Sequence, residues 1–165
     1  MPVNSNTKPK IELILYNSYI QAIKNSVGSK LFRNLYAYVD GKKNDILENG
    51  LFSCAIFVSS ILYFYKLIGN IHATVDSTIK DLEASGWQKV SQPKEGTILI
   101  WEPLKFKEKY HKHIGFYMNE KKAISNSTDK RSPILHHWTF GIDKNKNPKR
   151  KILNFYWHKK LDSNN

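Results

Sequence analysis

The residues that could do chemistry in this chain are one cysteine and a pair of histidines at alternate positions. Cys54 opens the apolar stretch Ser53-Cys54-Ala55-Ile56-Phe57-Val58, and downstream lies His111-Lys112-His113-Ile114-Gly115-Phe116-Tyr117. A thiol is a strong nucleophile only as thiolate, and the positive end of a helix and a neighbouring imidazolium are the simplest means of ionising it. The free N–H groups of a helix start also serve an oxyanion formed when sulfur attacks a carbonyl. A lone cysteine is by itself ordinary core material. A histidine on a strand beside Gly115, where the missing side chain admits another element closely, turns the reading towards a cysteine–histidine hydrolase.

The elements that must position these groups follow from the apolar spacing. Ile11, Leu13, Ile14, Leu15, Tyr19, Ile20 and Ile23 predict a first helix over residues 10–25, interrupted by Gly28-Ser29. Residues 31–39 form a short apolar piece that ends in the turn signal Asp40-Gly41, and residues 42–50 read as a polar loop. Ser53 stands as N-cap of a central helix that is apolar nearly all round and ends at Gly69. A third helix spans residues 75–84, between Thr74 or Asp76 and the pair Ser85-Gly86. After Gly96 the pattern turns to β, with strands at 97–101, 112–118, 122–125, 135–140 and 151–157. Helices first and an antiparallel sheet of about five strands second is an α+β order. One domain over residues 10–160 is expected, with a flexible arm at 1–9 and a tail at 161–165.

Three segments, in order, resemble the NlpC family of papain-like cell-wall cysteine peptidases, with the CHAP amidases related. Ser53-Cys54-Ala55-Ile56-Phe57-Val58 looks like the nucleophile motif that opens the family's central helix. Pro93-Lys94-Glu95-Gly96-Thr97-Ile98-Leu99-Ile100-Trp101 looks like its proline-glycine-aspartate segment, with Thr97 in place of the aspartate. His113-Ile114-Gly115-Phe116-Tyr117-Met118 resembles its histidine-valine-glycine-isoleucine-tyrosine strand. The resemblance implies a papain-like α+β fold with Cys54 as nucleophile and His113 as general base, needing no cofactor or metal. It also implies a tyrosine near the oxyanion site, Tyr38 ahead of Tyr36, and a third residue that orients the imidazole. Spacing gives Ser125 for that role, and Asn126 is the chemically stronger choice if a bulge turns it inward. Of His136 and His137, adjacent on a strand, only one can face the cleft: His137 is taken as a catalytic candidate and His136 as a substrate contact. Ser53 and Trp101 complete the expected cleft, while His72 and His158 are assigned no role.

The implied reaction is cleavage of an amide in a peptidoglycan stem peptide or similar peptide. With 26 Lys+Arg against 14 Asp+Glu the net charge is +12, which suits anionic polymers as further partners, although the basic residues are scattered in short clusters. A non-catalytic basic module on the same fold, binding cell-wall polymer or nucleic acid, is one alternative. A metal site drawn from His111, His113, His136 or His137 with Cys54 is another. One cysteine excludes an intramolecular disulfide. The start of the chain lacks the basic and apolar blocks of a secretory signal, and no apolar run is long enough to span a bilayer, so a soluble protein is expected, cytoplasmic or released without a recognisable signal.

Overall fold

The computed structural model describes residues 8–162. Their order is helix α1 (Leu15–Asn25), strands β1 (Tyr36–Val39) and β2 (Lys42–Asp45), helices α2 (Cys54–Phe64) and α3 (Val75–Ala84), then strands β3 (Gln88–Val90), β4 (Ile98–Phe106), β5 (Lys109–Tyr117), β6 (Lys122–Ser127), β7 (Ser132–His137) and β8 (Ile152–Trp157), with a short 3-10 helix at Lys159–Asp162. Three α-helices and antiparallel sheets make an α+β structure. The main sheet has six strands in the order β3-β8-β4-β5-β6-β7, every neighbouring pair antiparallel. Among the described residues no helix is long and apolar enough to cross a membrane.

The alternation along the central strands sorts side chains onto two faces. Ile98, Ile100, Ile114, Phe116 and Ile124 pack towards the helices, where Phe57 of α2 meets Phe116 edge to face at 5.4 Å. Leu99, Trp101 and Ala123 point the other way and form a second cluster with Tyr117, Trp138, Phe140, Ile152 and Phe155. Helix α2 is therefore apolar nearly all round because it is the layer between the sheet and the remaining helices.

Several boundaries differ from expectation. Helix α1 begins at Leu15, not near residue 10: Ile11 and Leu13 are exposed and bury nothing, and a turn without packing has little to hold it. Helix α2 ends at Phe64 because Lys66 adopts a left-handed φ of +54°, with Leu67 N–H bonded to Leu62 O at 2.9 Å. Residues 42–50 are not all loop, since β1 and β2 form a hairpin across Asp40-Gly41. Strand β3 brings the sheet to six. The C-terminal tail starts later than residue 161, because Leu161 is buried within the 3-10 helix. Of the expected arm, residues 1–7 lie outside the described residues, as do 163–165 of the tail.

Candidate active site

The positions of the two central residues follow from where β6 leaves β5. Their pairing starts at Gly115–Ser125, so the first half of β5, Lys109 to Ile114, has β4 on one side and no strand on the other. The start of α2 abuts this open edge, and the backbone N–H groups of Ile114 and of Ala55 reach the Cys54 thiol. Cys54 and His113 line one cleft of about 740 Å³ together with Phe52, Asn126 and Arg150.

Behind the cleft, a chain of hydrogen bonds runs from His113 across the sheet. His113 Nε2 lies 2.8 Å from Ser125 Oγ, and Ser125 Oγ lies 2.7 Å from His136 Nε2. Register explains it: Gly115 stands opposite Ser125 and Ala123 opposite His136, so the three side chains are diagonal neighbours on one face. Gly115 makes the approach possible, since a Cβ there would sit 2.7 Å from Ile124 O and 2.7 Å from the Ser125 Cβ. Trp101 lies behind the His113 ring at 5.3 Å, and Phe140 stacks on His136 at 4.3 Å.

The direction of the chain is fixed by its far end. His136 Nδ1 is 2.8 Å from His137 O, and a carbonyl can only accept, so Nδ1 carries the proton. Burial holds His136 below the usual histidine range and hence neutral, and its Nε2 is then an acceptor. Ser125 donates its single proton to that nitrogen and accepts from His113 Nε2–H. Burial, with Arg150 and His136 adding to it, pushes His113 well below the usual range. Its ring is neutral with Nδ1 unprotonated, the form of a general base.

Cys54 does not behave as helix placement alone suggests. The N–H groups of Ile114 and Ala55 and the Arg150 charge favour the thiolate, yet burial outweighs them and pushes the thiol up. The resting pair is a neutral thiol and a neutral imidazole.

Arg150 has no counterpart among the sequence candidates. It precedes β8 and is half-buried, with Nε donating to Glu102 O at 3.0 Å and Nη2 to His111 O at 2.8 Å. Those carbonyls are brought together by the irregularity in β4 between Trp101 and Leu104. In the sequence Arg150 is one member of the cluster Lys149-Arg150-Lys151, which nothing separates from a solvated turn.

Other candidates stand elsewhere. Asn126 is on the opposite face from Ser125 and does not touch His113: its Nδ2 donates to Gly50 O at 2.8 Å, pinning the segment before Cys54 to β6. His137 also faces away, its Nδ1 accepting from the Thr139 and Gly141 N–H groups at 3.3 Å, so His136 holds the inward place given to His137. Tyr38 is 81% exposed on the β1–β2 hairpin, and neither it nor Tyr36 lines the cleft, which has Phe52 on its wall, stacked on His111 at 5.1 Å. Ser53 is fully buried, its hydroxyl neither caps α2 nor finds another partner among the described residues, and it lies outside the cleft wall. Trp101 is fully buried behind His113 and not in the cleft, with Nε1 donating to Trp138 O at 2.7 Å. His72 binds Asp81 at 2.6 Å and His158 faces Ser85 O at 3.0 Å, both structural contacts. Among the described residues no three His, Cys, Asp or Glu side chains come together as metal ligands. No protein-family model matches the chain, and no curated protein is significantly similar to it.

Proposed function

We propose that this domain is a cysteine hydrolase of the papain-like NlpC type, cleaving an amide bond in a peptide, with a peptidoglycan stem peptide as the substrate that the sequence resemblance favours. The observation that carries this reading is the directed chain His113–Ser125–His136, which leaves an unprotonated Nδ1 on a ring that shares its cleft with the Cys54 thiol. A buried histidine serving only as core would need no such relay.

In the proposed reaction the Cys54 proton passes to His113 Nδ1 as sulfur attacks the amide carbonyl, since neither group is charged at rest. The oxyanion takes hydrogen bonds from N–H groups at the start of α2. The His113 imidazolium then protonates the leaving amine, the C–N bond breaks, and a thioester remains on Cys54. Water, deprotonated by His113, hydrolyses the thioester and restores the thiol. Ser125 keeps the ring in the required tautomer throughout, the orienting part that a third residue plays in a triad.

The test is turnover of amide-linked stem-peptide fragments by the wild type, Cys54→Ala and His113→Ala, with circular dichroism to verify folding. Activity lost in both folded variants supports the mechanism, and normal activity in either refutes it. A non-catalytic module on the same fold would show no turnover in the wild type and an alkylation rate of Cys54 like that of an ordinary thiol.

A further inference from the structure

We infer that Arg150 is the anchor for a carboxylate of the substrate, so that the amides this site accepts carry a free carboxylate beside the scissile bond. The inference rests on the hydrolase reading above and names the substrate class for the same cleft.

The argument is a charge count along the wall. Three acidic side chains line the cleft, and each is already matched by a lysine of the same wall: Glu48 with Lys107 at 2.7 Å, Asp76 with Lys112 at 2.6 Å and Glu108 with Lys105 at 3.7 Å. Lys109 and Arg150 are left over. Lys109 is exposed, and water solvates its charge. Arg150 is half-buried, and the Glu102 carboxylate acts on its charge only from beyond ion-pair distance, with Oε1 taken by the Lys151 N–H at 2.8 Å. Guanidinium groups taken from water are ordinarily paired with an anion.

Its geometry is that of a prepared site. Nε and Nη2 are fixed by two backbone carbonyls from β4 and β5, which hold the plane of the fork rigid, while Nη1 has no acceptor among the described residues. A rigid fork with donors to spare fits a planar carboxylate better than a lysine would. The site shares the cleft with the nucleophile, so a carboxylate held there places the adjoining amide near the sulfur.

The probe is the pair iodoacetate and iodoacetamide, which alkylate the same sulfur and differ in carrying or lacking a carboxylate. Rates are measured at high salt, where the net charge of +12 is screened. The expected result is a wild-type preference for iodoacetate at least roughly tenfold above that of a small free thiol, the effect of about one charge-assisted hydrogen bond. Arg150→Gln should abolish the preference, and Arg150→Lys should keep part of it. A free-thiol ratio in the wild type, or equal slowing of both reagents in Arg150→Gln, overturns the inference, the latter because Arg150 then serves the thiolate alone. If Cys54 reacts with neither reagent, the hydrolase reading fails, and N-acetylglycine titrated into Cys54→Ala decides the inference separately. Saturable shifts of the Arg150 and His113 NMR signals, absent when Arg150→Gln is added, uphold a carboxylate site, and no shifts refute it. The Cys54→Ala protein also bypasses any folding defect of Arg150→Gln, since it retains both clamps on β4 and β5.

Discussion

The hydrogen-bond chain behind His113 makes a prediction that needs no substrate. In the wild type at neutral pH, long-range proton–nitrogen NMR spectra of the histidine rings should show His113 as the Nε2–H tautomer and His136 as the Nδ1–H tautomer. Ser125→Ala removes the link between them, two bonds of 2.8 and 2.7 Å at a position that is 1% exposed. It leaves a buried donor on His113 and a buried acceptor on His136, so the loss of stability should be about 2–4 kcal/mol, each orphaned group costing about 1–3 kcal/mol and the alanine relaxing part of it. Oriented general-base catalysis contributes about 10²–10⁴-fold, and Ser125 fixes the tautomer without itself moving the proton, so kcat should fall about 10–100-fold. Because Ser125 lies outside the cleft wall, KM should change little. His136→Phe should act through the same link, and the double variant should lose no more than the worse single one. Asn126→Ala is the control: it frees Gly50 O and lowers stability but leaves the His113 tautomer intact. A wild-type His136 found as the Nε2–H tautomer, or additive losses in the double variant, would refute the directed chain.

Three other predictions follow from the same structure. The kcat/KM profile should have its acid limb below 6.5 and its alkaline limb above 9.0, because burial drives His113 down and Cys54 up, and an alkaline limb below 7 in a pH titration would contradict the neutral resting pair. Gly115→Ala should cost about 1–3 kcal/mol in urea denaturation, since its Cβ would meet backbone at 2.7 Å, and activity should fall as Ser125 is displaced. Asp81 is held at about 2: burial would raise it, but N–H bonds from Gly69 and Asn70 and contacts from His72 and Ser85 prevail. Its folded pKa is depressed, so it contributes stability above 3.8 that is lost as pH falls from 3.8 towards 2; Asp81→Asn should remove about 2 kcal/mol of acid-dependent stability, read from denaturation midpoints between pH 2 and 6.

Periodicity was informative wherever burial is one-sided and uninformative where it is not. Helix α3 shows this best: Val75, Thr78 and Leu82 are buried, Thr74 caps it through Ser77 N–H, and its bounds are the expected ones. Lys42–Asp45 carries no apolar alternation because both faces of that strand meet solvent, so only the turn at Asp40-Gly41 hints at a hairpin. Strand β4 runs past Trp101 to Phe106 through Pro103, a residue that argues against strand in sequence but is tolerated where the pairing with β5 shifts. In the site, alternation could say that one of His136 and His137 faces inward but not which, since that depends on the β6–β7 register. Ser125 was the choice by spacing, and Asn126 was preferred on chemistry; the regular register, with no bulge between β5 and β6, returns the place to Ser125. Arg150 was illegible because its importance comes from two distant carbonyls and not from its neighbours in sequence.

The electrostatics of the cleft connect these pieces. Arg150 favours a negative sulfur but opposes a positive His113, so it helps one half of the proton transfer and hinders the other. A carboxylate docked on its free edge cancels that opposition and removes one of the three causes that hold the imidazole low. The thiol keeps the N–H groups of Ile114 and Ala55, which do not depend on Arg150. On the proposed carboxylate site an anionic substrate would do more than bind: by neutralising the cation beside His113 it would raise the basicity of Nδ1 when an amide is present to be attacked. In the empty cleft burial keeps the sulfur neutral, and burial together with Arg150 keeps the imidazole neutral, which limits wasteful oxidation of a thiolate. On the proposed mechanism burial keeps the Cys54 thiol protonated until His113 can take its proton, and Arg150 links that moment to the arrival of a carboxylate.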